Sequence, residues 1–267
     1  MSTAPSSRPY SVLAAGYDAV MAHVDYPFWA GFVRDLLARH APHARSVVEL
    51  GCGTGSLAIA LQPLGPPPDG FAYRAFDGSE AMVAVARATV DVPATFDVLD
   101  FRAPVPGPPA DAVLLLYDGL NYLTEPADVA ALLASVHGAL APAADGRPGG
   151  VAVVDSSTPA NSINHADAFD DEGVTDAFAF RRTSHYDEAT RLHTTTFEIQ
   201  TPDGAVHVER HVQRAWSMAE LRALAAAAGL REVAAYDDFT TQPATDRTER
   251  VHWVWARADD ASAGDAA

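Results

Sequence analysis

Val47-Val48-Glu49-Leu50-Gly51-Cys52-Gly53-Thr54-Gly55 is the stretch on which the reading of this chain turns. Apolar residues run without a polar break except Glu49, then glycines fall at three alternate positions. Such a run predicts a buried strand over residues 46–50 that ends in a tight turn. There the glycine backbone can adopt conformations closed to other residues and come close to a ligand. A helix over residues 55–61 follows.

Outward from this turn the pattern alternates strand and helix. Strands are expected at 72–77, about 92–99, 111–117 and 150–155, with helices at 79–88 and 125–140. Near-continuous apolar strands separated by helices imply a parallel sheet covered on both faces. Upstream, Phe28, Trp29, Phe32, Val33, Leu36 and Leu37 recur at helical spacing, so a helix over 26–40 should cover one end of the sheet. After Asp155 the texture changes. Residues 177–185, 192–200 and 205–215 are rich in Thr, Val, Phe and Tyr and are separated by turn formers, which predicts antiparallel hairpins. Ser217-Met218-Ala219-Glu220 has capping-box spacing and opens a helix that Gly229 stops; strands at 230–237 and 250–256 close the chain.

Composition sets limits. The 267 residues are 48% hydrophobic, enough for one large α/β domain carrying an insertion. A net charge of -17, with every basic residue an Arg, argues against a duplex-binding surface, because phosphate neutralisation needs clustered Lys and Arg. No apolar run reaches membrane-spanning length and the start lacks an apolar signal core, so a cytoplasmic chain with no membrane partner is expected. The single cysteine, Cys52, makes neither an internal disulfide nor a cysteine-rich metal site, and no His spacing suggests a metal. Residues 1–9, rich in Ser and Pro, and residues 259–267, small and acidic, are expected to be disordered.

The acidic residue at the end of the next strand, Asp77, is placed to accept both hydroxyls of a ribose. The alternative is a turn or N-cap Asp; the pairing with the glycine turn favours a nucleoside. A dinucleotide fingerprint would need a third glycine where Ser56 stands.

With these pieces in place the chain resembles the class I S-adenosylmethionine-dependent methyltransferases, in particular a small-molecule branch with a Tyr-Asp pair near the N-terminus that includes sugar N-methyltransferases. The resemblance rests on Tyr10-Ser11-Val12-Leu13-Ala14 with Gly16-Tyr17-Asp18, Asp25-Tyr26 with Trp29, residues 49–55, residues 76–82, Asp97-Val98-Leu99-Asp100-Phe101, Tyr117-Asp118-Gly119-Leu120-Asn121-Tyr122-Leu123 and Glu249-Arg250. It implies a Rossmann-like fold, a seven-stranded mostly parallel sheet with an antiparallel β insert. Residues 10–165 and 217–258 would bind S-adenosylmethionine, and 166–216 would roof the acceptor or pair with a second copy in a homodimer. It further implies that Glu49 belongs to the cofactor site, Gly51, Gly53 and Gly55 line the methionine side, Asp77 binds ribose, Met82 lies near adenine and Asp97 with Val98 meets the adenine amine. Asp100 competes with Asp97 for that last role.

Tyr17 would touch the methionine carboxylate or close over the sulfonium, or simply pack the N-terminal helix against the sheet. Tyr117 and Asp118 follow a central strand, where ligands of open α/β sheets bind. Candidate bases are Asp118, Asn121, Asp155 and, after them, His165. The ordinary alternatives are a turn organiser for Asn121, a strand-end cap for Asp155 and a loop residue for His165. The implied reaction is methyl transfer to a nitrogen or oxygen of a small-molecule acceptor. An NAD-dependent oxidoreductase, a tRNA methyltransferase and a non-catalytic cofactor-binding regulator are the competing readings.

Overall fold

The computed structural model describes residues 6–144, 146–166 and 170–263. In chain order the elements are β1 (Ser6–Ser7), α1 (Tyr17–Val20), α2 (Tyr26–His40), β2 (Ser46–Leu50), α3 (Ser56–Leu61), β3 (Ala72–Asp77), α4 (Glu80–Thr89), β4 (Ala94–Val98), β5 (Ala112–Leu115), α5 (Pro126–Ala139), β6 (Val151–Ser157), α6 (Pro159–Asn164), β7 (Asp170–Val174), β8 (Ala179–Asp187), β9 (Leu192–Gln200), β10 (Val206–Arg214), α7 (Met218–Ala227), β11 (Leu230–Asp237) and β12 (Arg250–Arg257).

Seven strands form the main sheet in the order β11-β12-β6-β5-β2-β3-β4. β12 runs antiparallel to both of its neighbours, and the other paired strands are parallel. The fold is therefore the Rossmann-like one expected. Strand periodicity divides the core into two layers. Val47, Ala75, Leu114 and Val153 face α2, α3 and α4. Val48, Phe76, Leu115, Val154, Trp253 and Trp255 face α5 and α7. Helix α2 thus lies on a face of the sheet beside α3 and does not cap its end. The reason is its apolar stripe of Trp29, Ala30, Val33, Leu36 and Leu37, wide enough to need a sheet face.

A second sheet, β1-β10-β9-β8-β7, carries the hairpins. Two of its strands lie outside the hairpin reading. β7 joins as the partner of β8, and β1 pairs in parallel with β10. So residues 6 and 7, expected to be disordered, are held by the insert, whereas 1–5 lie outside the described residues. Likewise the tail forms a 3-10 turn over Ala258–Ala263, in which Asp259 pairs with Arg257 and Asp260 accepts from the Ala143 amide; 264–267 lie outside the described residues. Among the described residues no helix is long and apolar enough to cross a membrane.

Candidate active site

At the carboxyl end of β2 the chain passes through three left-handed glycines, Gly51 (φ 70°), Gly53 (φ 54°) and Gly55 (φ 85°). Their surroundings differ. A Cβ on Gly53 would stand in open space, whereas one on Gly55 would lie 2.6 Å from Val90 Cγ2. Gly51 and Gly53 line a cavity of about 250 Å³ together with Asp77, Met82, Tyr17 and Tyr117. Gly55 is absent from that wall; it is a glycine because α4's last turn and Phe96 press against it.

Asp77 projects into this cavity from the end of β3. Its carboxylate accepts the Gly53 amide at 2.9 Å and the Ser79 amide at 2.8 Å. Burial pushes its carboxyl above the usual range, against the pull of these two hydrogen bonds. Met82, fully buried on α4, forms an apolar wall. A carboxylate beside an apolar side chain and an uncovered glycine backbone suits a nucleoside, one edge polar and two faces apolar, so the residues present fit S-adenosylmethionine. Beyond Gly53 the space continues into a smaller cavity of about 50 Å³ lined by Tyr17, Tyr26, Glu49, Thr54 and Tyr117. Glu49 is buried there, accepts from the Tyr73 hydroxyl at 2.9 Å, and is pushed up to about 7 by burial.

The expected adenine contacts are placed elsewhere. Asp97 and Val98 are exposed on β4, the outer strand of the sheet, and neither lines the cavity. Asp97 is bound by Arg87 of α4, and Asp100 by Arg102. Both carboxylates lie on the surface beside exposed arginines, Asp97 on the edge strand β4 and Asp100 just after it.

Tyr117 and Asp118, at φ 61° and 62°, turn the chain sharply after β5. Two successive left-handed non-glycine residues cost roughly 1–2 kcal/mol each. The turn aims the Tyr117 ring at all three cavities. It also delivers Asp118 to Arg250 of β12, at 2.9 and 2.8 Å, and to the Ser157 hydroxyl at 2.7 Å. Arg250 binds Asp155 as well, and Asp155 accepts the Asp118 amide. The buried Asp155 carboxyl is raised to about 6, burial outweighing Arg250. Asn121 donates to the Ser157 and Arg214 carbonyls and accepts the Ser157 amide. All three leading candidate bases are thus held by other partners: two as counterions of one arginine, one as a turn organiser. His165, on the rim, pairs with Glu249 at 3.0 Å.

A third and larger cavity, about 460 Å³, lies between the main sheet and the insert. Arg182, His193, Gln213 and Arg214 of the insert line its roof, and Asp118, Ser157 and Arg250 line its floor. It shares Tyr10, Tyr17, Tyr117 and Tyr122 with the nucleoside cavity. Tyr10 and Tyr122 lie in stretches that carry the resemblance but were expected to have no role of their own, and no spacing singled out His211. Asp18 also emerges: it accepts from the Thr54 hydroxyl at 2.6 Å and so ties α1 to the glycine turn.

Residues 47–143 match the model of a methyltransferase domain. A Geobacillus sp. (strain WCH70) protein, provisionally described as a methyltransferase, is 27% identical over 257 residues, 92% of this chain and 98% of the relative. Among solved structures, an S-adenosylmethionine-dependent methyltransferase from Clostridium acetobutylicum superposes with a TM-score of 0.73 at 19% identity, covering 93% of this chain and 98% of that one. The sugar N-methyltransferase KedS8 from Streptoalloteichus sp. does so with a TM-score of 0.68 at 21% identity, covering 96% and 98%. The glycine turn, the strand order and these likenesses agree: residues 47–143 carry a methyltransferase domain, and the chain as a whole has the Rossmann-like fold of the S-adenosylmethionine-dependent methyltransferases.

Proposed function

We propose that this methyltransferase acts on a nitrogen or oxygen of a small molecule, an amine such as an aminosugar first among them. One observation carries the reading: the cavity of about 460 Å³ under the insert meets the nucleoside cavity at four shared tyrosines. A space of that size takes one small ligand of a few rings. The sugar N-methyltransferase activity named for KedS8 points the same way.

S-adenosylmethionine supplies, when bound, a methyl carbon on a positively charged sulfur. What remains for the protein is alignment and dryness. Gly51 and Gly53 leave room for the donor, Asp77 offers a fixed carboxylate, and Tyr17 and Tyr117 line the donor and acceptor cavities alike. Holding two reactants in line in this way lowers the barrier by several kcal/mol. The strongly negative chain gives a nucleic-acid acceptor no comparable support.

The test is a panel of aminosugars, simple amines and alcohols incubated with methyl-labelled S-adenosylmethionine, read by mass spectrometry. Label is expected on at least one amine, with S-adenosylhomocysteine formed in equal amount. Label on none of them, but on tRNA or on no acceptor at all, overturns the small-molecule reading.

A further inference from the structure

A hydrogen-bonded line leaves the junction of the two cavities, and donor binding does not account for it. Tyr122, in the 3-10 turn Gly119–Tyr122, lines both cavities. Its hydroxyl lies 2.5 Å from that of Tyr10 and 3.0 Å from Nδ1 of His211 on β10. His211 is 3% exposed, and its Nε2 faces Glu209 Oε2 at 3.4 Å, within reach of an ion pair though off hydrogen-bond geometry.

Glu209 itself is fully buried. It accepts from the Tyr10 amide at 2.7 Å, the Ser11 hydroxyl at 3.1 Å, the Val12 amide at 2.5 Å and the Leu13 amide at 3.1 Å. A carboxylate with that many donors is stabilised in its ionised form. Burial works to raise its carboxyl, but His211 and the backbone amides hold it below the usual range. An ionised carboxylate on one side of an imidazole and a hydroxyl on the other is the arrangement that lets a histidine take a proton and keep it.

We propose that Tyr122, His211 and Glu209 form a relay that removes the proton of the acceptor, an inference that rests on the reading of methyl transfer to an N–H or O–H group. The acceptor's lone pair forms the bond to the methyl carbon, and the carbon–sulfur bond breaks with its electron pair left on sulfur. The acceptor's proton passes to Tyr122 Oη as the Tyr122 proton passes to His211 Nδ1. The positive charge that began on sulfur ends on an imidazolium facing Glu209. Tyr122 never ionises in this exchange, which matters because burial holds its hydroxyl far above the usual range. Tyr10, whose hydroxyl can donate to Tyr122, fixes the orientation of that oxygen. His211 acts through Tyr122 as a positioning and proton-storing residue. The titratable groups facing it are Glu209 on its own strand, Tyr122 on the turn and Tyr10 on the N-terminal segment; Phe197 on β9 closes the remaining side.

The experiment uses the full chain labelled with ¹⁵N-histidine and saturated with S-adenosylhomocysteine, followed by NMR across the neutral pH range. His211 is expected as the Nε2–H tautomer, with Nδ1 shifted by the hydrogen bond from Tyr122 and that shift lost in Tyr122→Phe. His211→Asn, which identifies the signal, should bind S-adenosylhomocysteine within threefold of the parent. On an amine methylated in the panel, its turnover should fall about 100-fold and lose the acid limb of the pH–rate profile. A proton resident on Nδ1, or an imidazolium throughout the range, overturns the relay even when the nucleoside binds. Failure of the parent chain to bind S-adenosylhomocysteine overturns the donor reading instead. An unchanged pH profile in a folded His211→Asn also overturns the relay.

Discussion

Gly53 and Gly55 share a left-handed backbone and a motif, yet they answer to different constraints. At Gly53 the space beyond Cα is cavity; at Gly55 it is Val90 and Phe96. Gly53→Ala should therefore cost about 1–2 kcal/mol in stability from the backbone alone and weaken S-adenosylhomocysteine binding at least tenfold. Gly55→Ala adds overpacking and should cost about 3 kcal/mol or more, while the folded protein binds nearly as before. Calorimetry beside urea unfolding separates the two, and equal losses of affinity would contradict this assignment. Glu49 permits a pH prediction. Its folded value near 7 lies above the unfolded value near 4.5, so between those limits the native state holds more protons than the unfolded one. Stability contributed by this group must then fall as pH rises from about 4.5 to 7, by up to a few kcal/mol. Glu49→Gln should remove that part of the fall in urea midpoints measured from about pH 5 to 8. Asp77 and the glycines were legible at this scale because strand end and turn are adjacent in sequence. The fates of Asp118 and Asp155 were not, because their partner Arg250 is 132 and 95 residues away. His211 escaped for the same reason, its hydroxyl partner Tyr122 lying 89 residues away in the turn that follows β5.

Helix α7 shows what an element owes to its first turn. Ser217 and Glu220 form a reciprocal capping box, and Glu220 also binds Arg191 and Arg214 of the insert. Ser217→Ala removes one acceptor for the helix's first amides and should cost about 1 kcal/mol, seen as a lower urea midpoint at unchanged slope. An unchanged midpoint would mean that the insert's arginines alone hold the helix start. This cap was readable from four consecutive residues, as were the central strands, whose continuous apolar runs leave few alternatives. Strands β1 and β7 were not readable. Asp170-Asp171-Glu172-Gly173-Val174 has no apolar alternation; it becomes a strand because β8 offers an open edge, and Arg181 and Arg182 neutralise Asp170 and Asp171. Edge strands are made by their neighbours' backbone more than by their own side chains. The placement of α2 was a failure of geometry: helical spacing gives the apolar stripe but not the surface it meets.

At the scale of the whole molecule, two sheets that share no strand pairing among the described residues enclose one site, and the segment from Pro9 to Asp18 fastens them. Ser79 donates to the Tyr10 carbonyl at 3.0 Å from the main sheet's side, Thr54 donates to Asp18, and Glu209 gathers the amides of Tyr10, Val12 and Leu13 from the insert's side. Pro9, Tyr10 and Tyr17 then wall the nucleoside cavity, which Glu209 itself does not reach. Glu209→Ala would leave three backbone N–H groups without an acceptor, each worth about 1–3 kcal/mol when buried. The expected result is a loss of a few kcal/mol, faster limited proteolysis within the first twenty residues, and weaker S-adenosylhomocysteine binding, although no contact with the ligand has been removed. Glu209→Gln keeps one carbonyl oxygen for those amides and should fall between the two proteins in all three measurements. If the alanine variant binds S-adenosylhomocysteine as the parent does while its N-terminal segment is cut more quickly, that segment is not a wall of the donor site. The nucleoside would then be held by the main sheet alone, and the insert would serve the acceptor only.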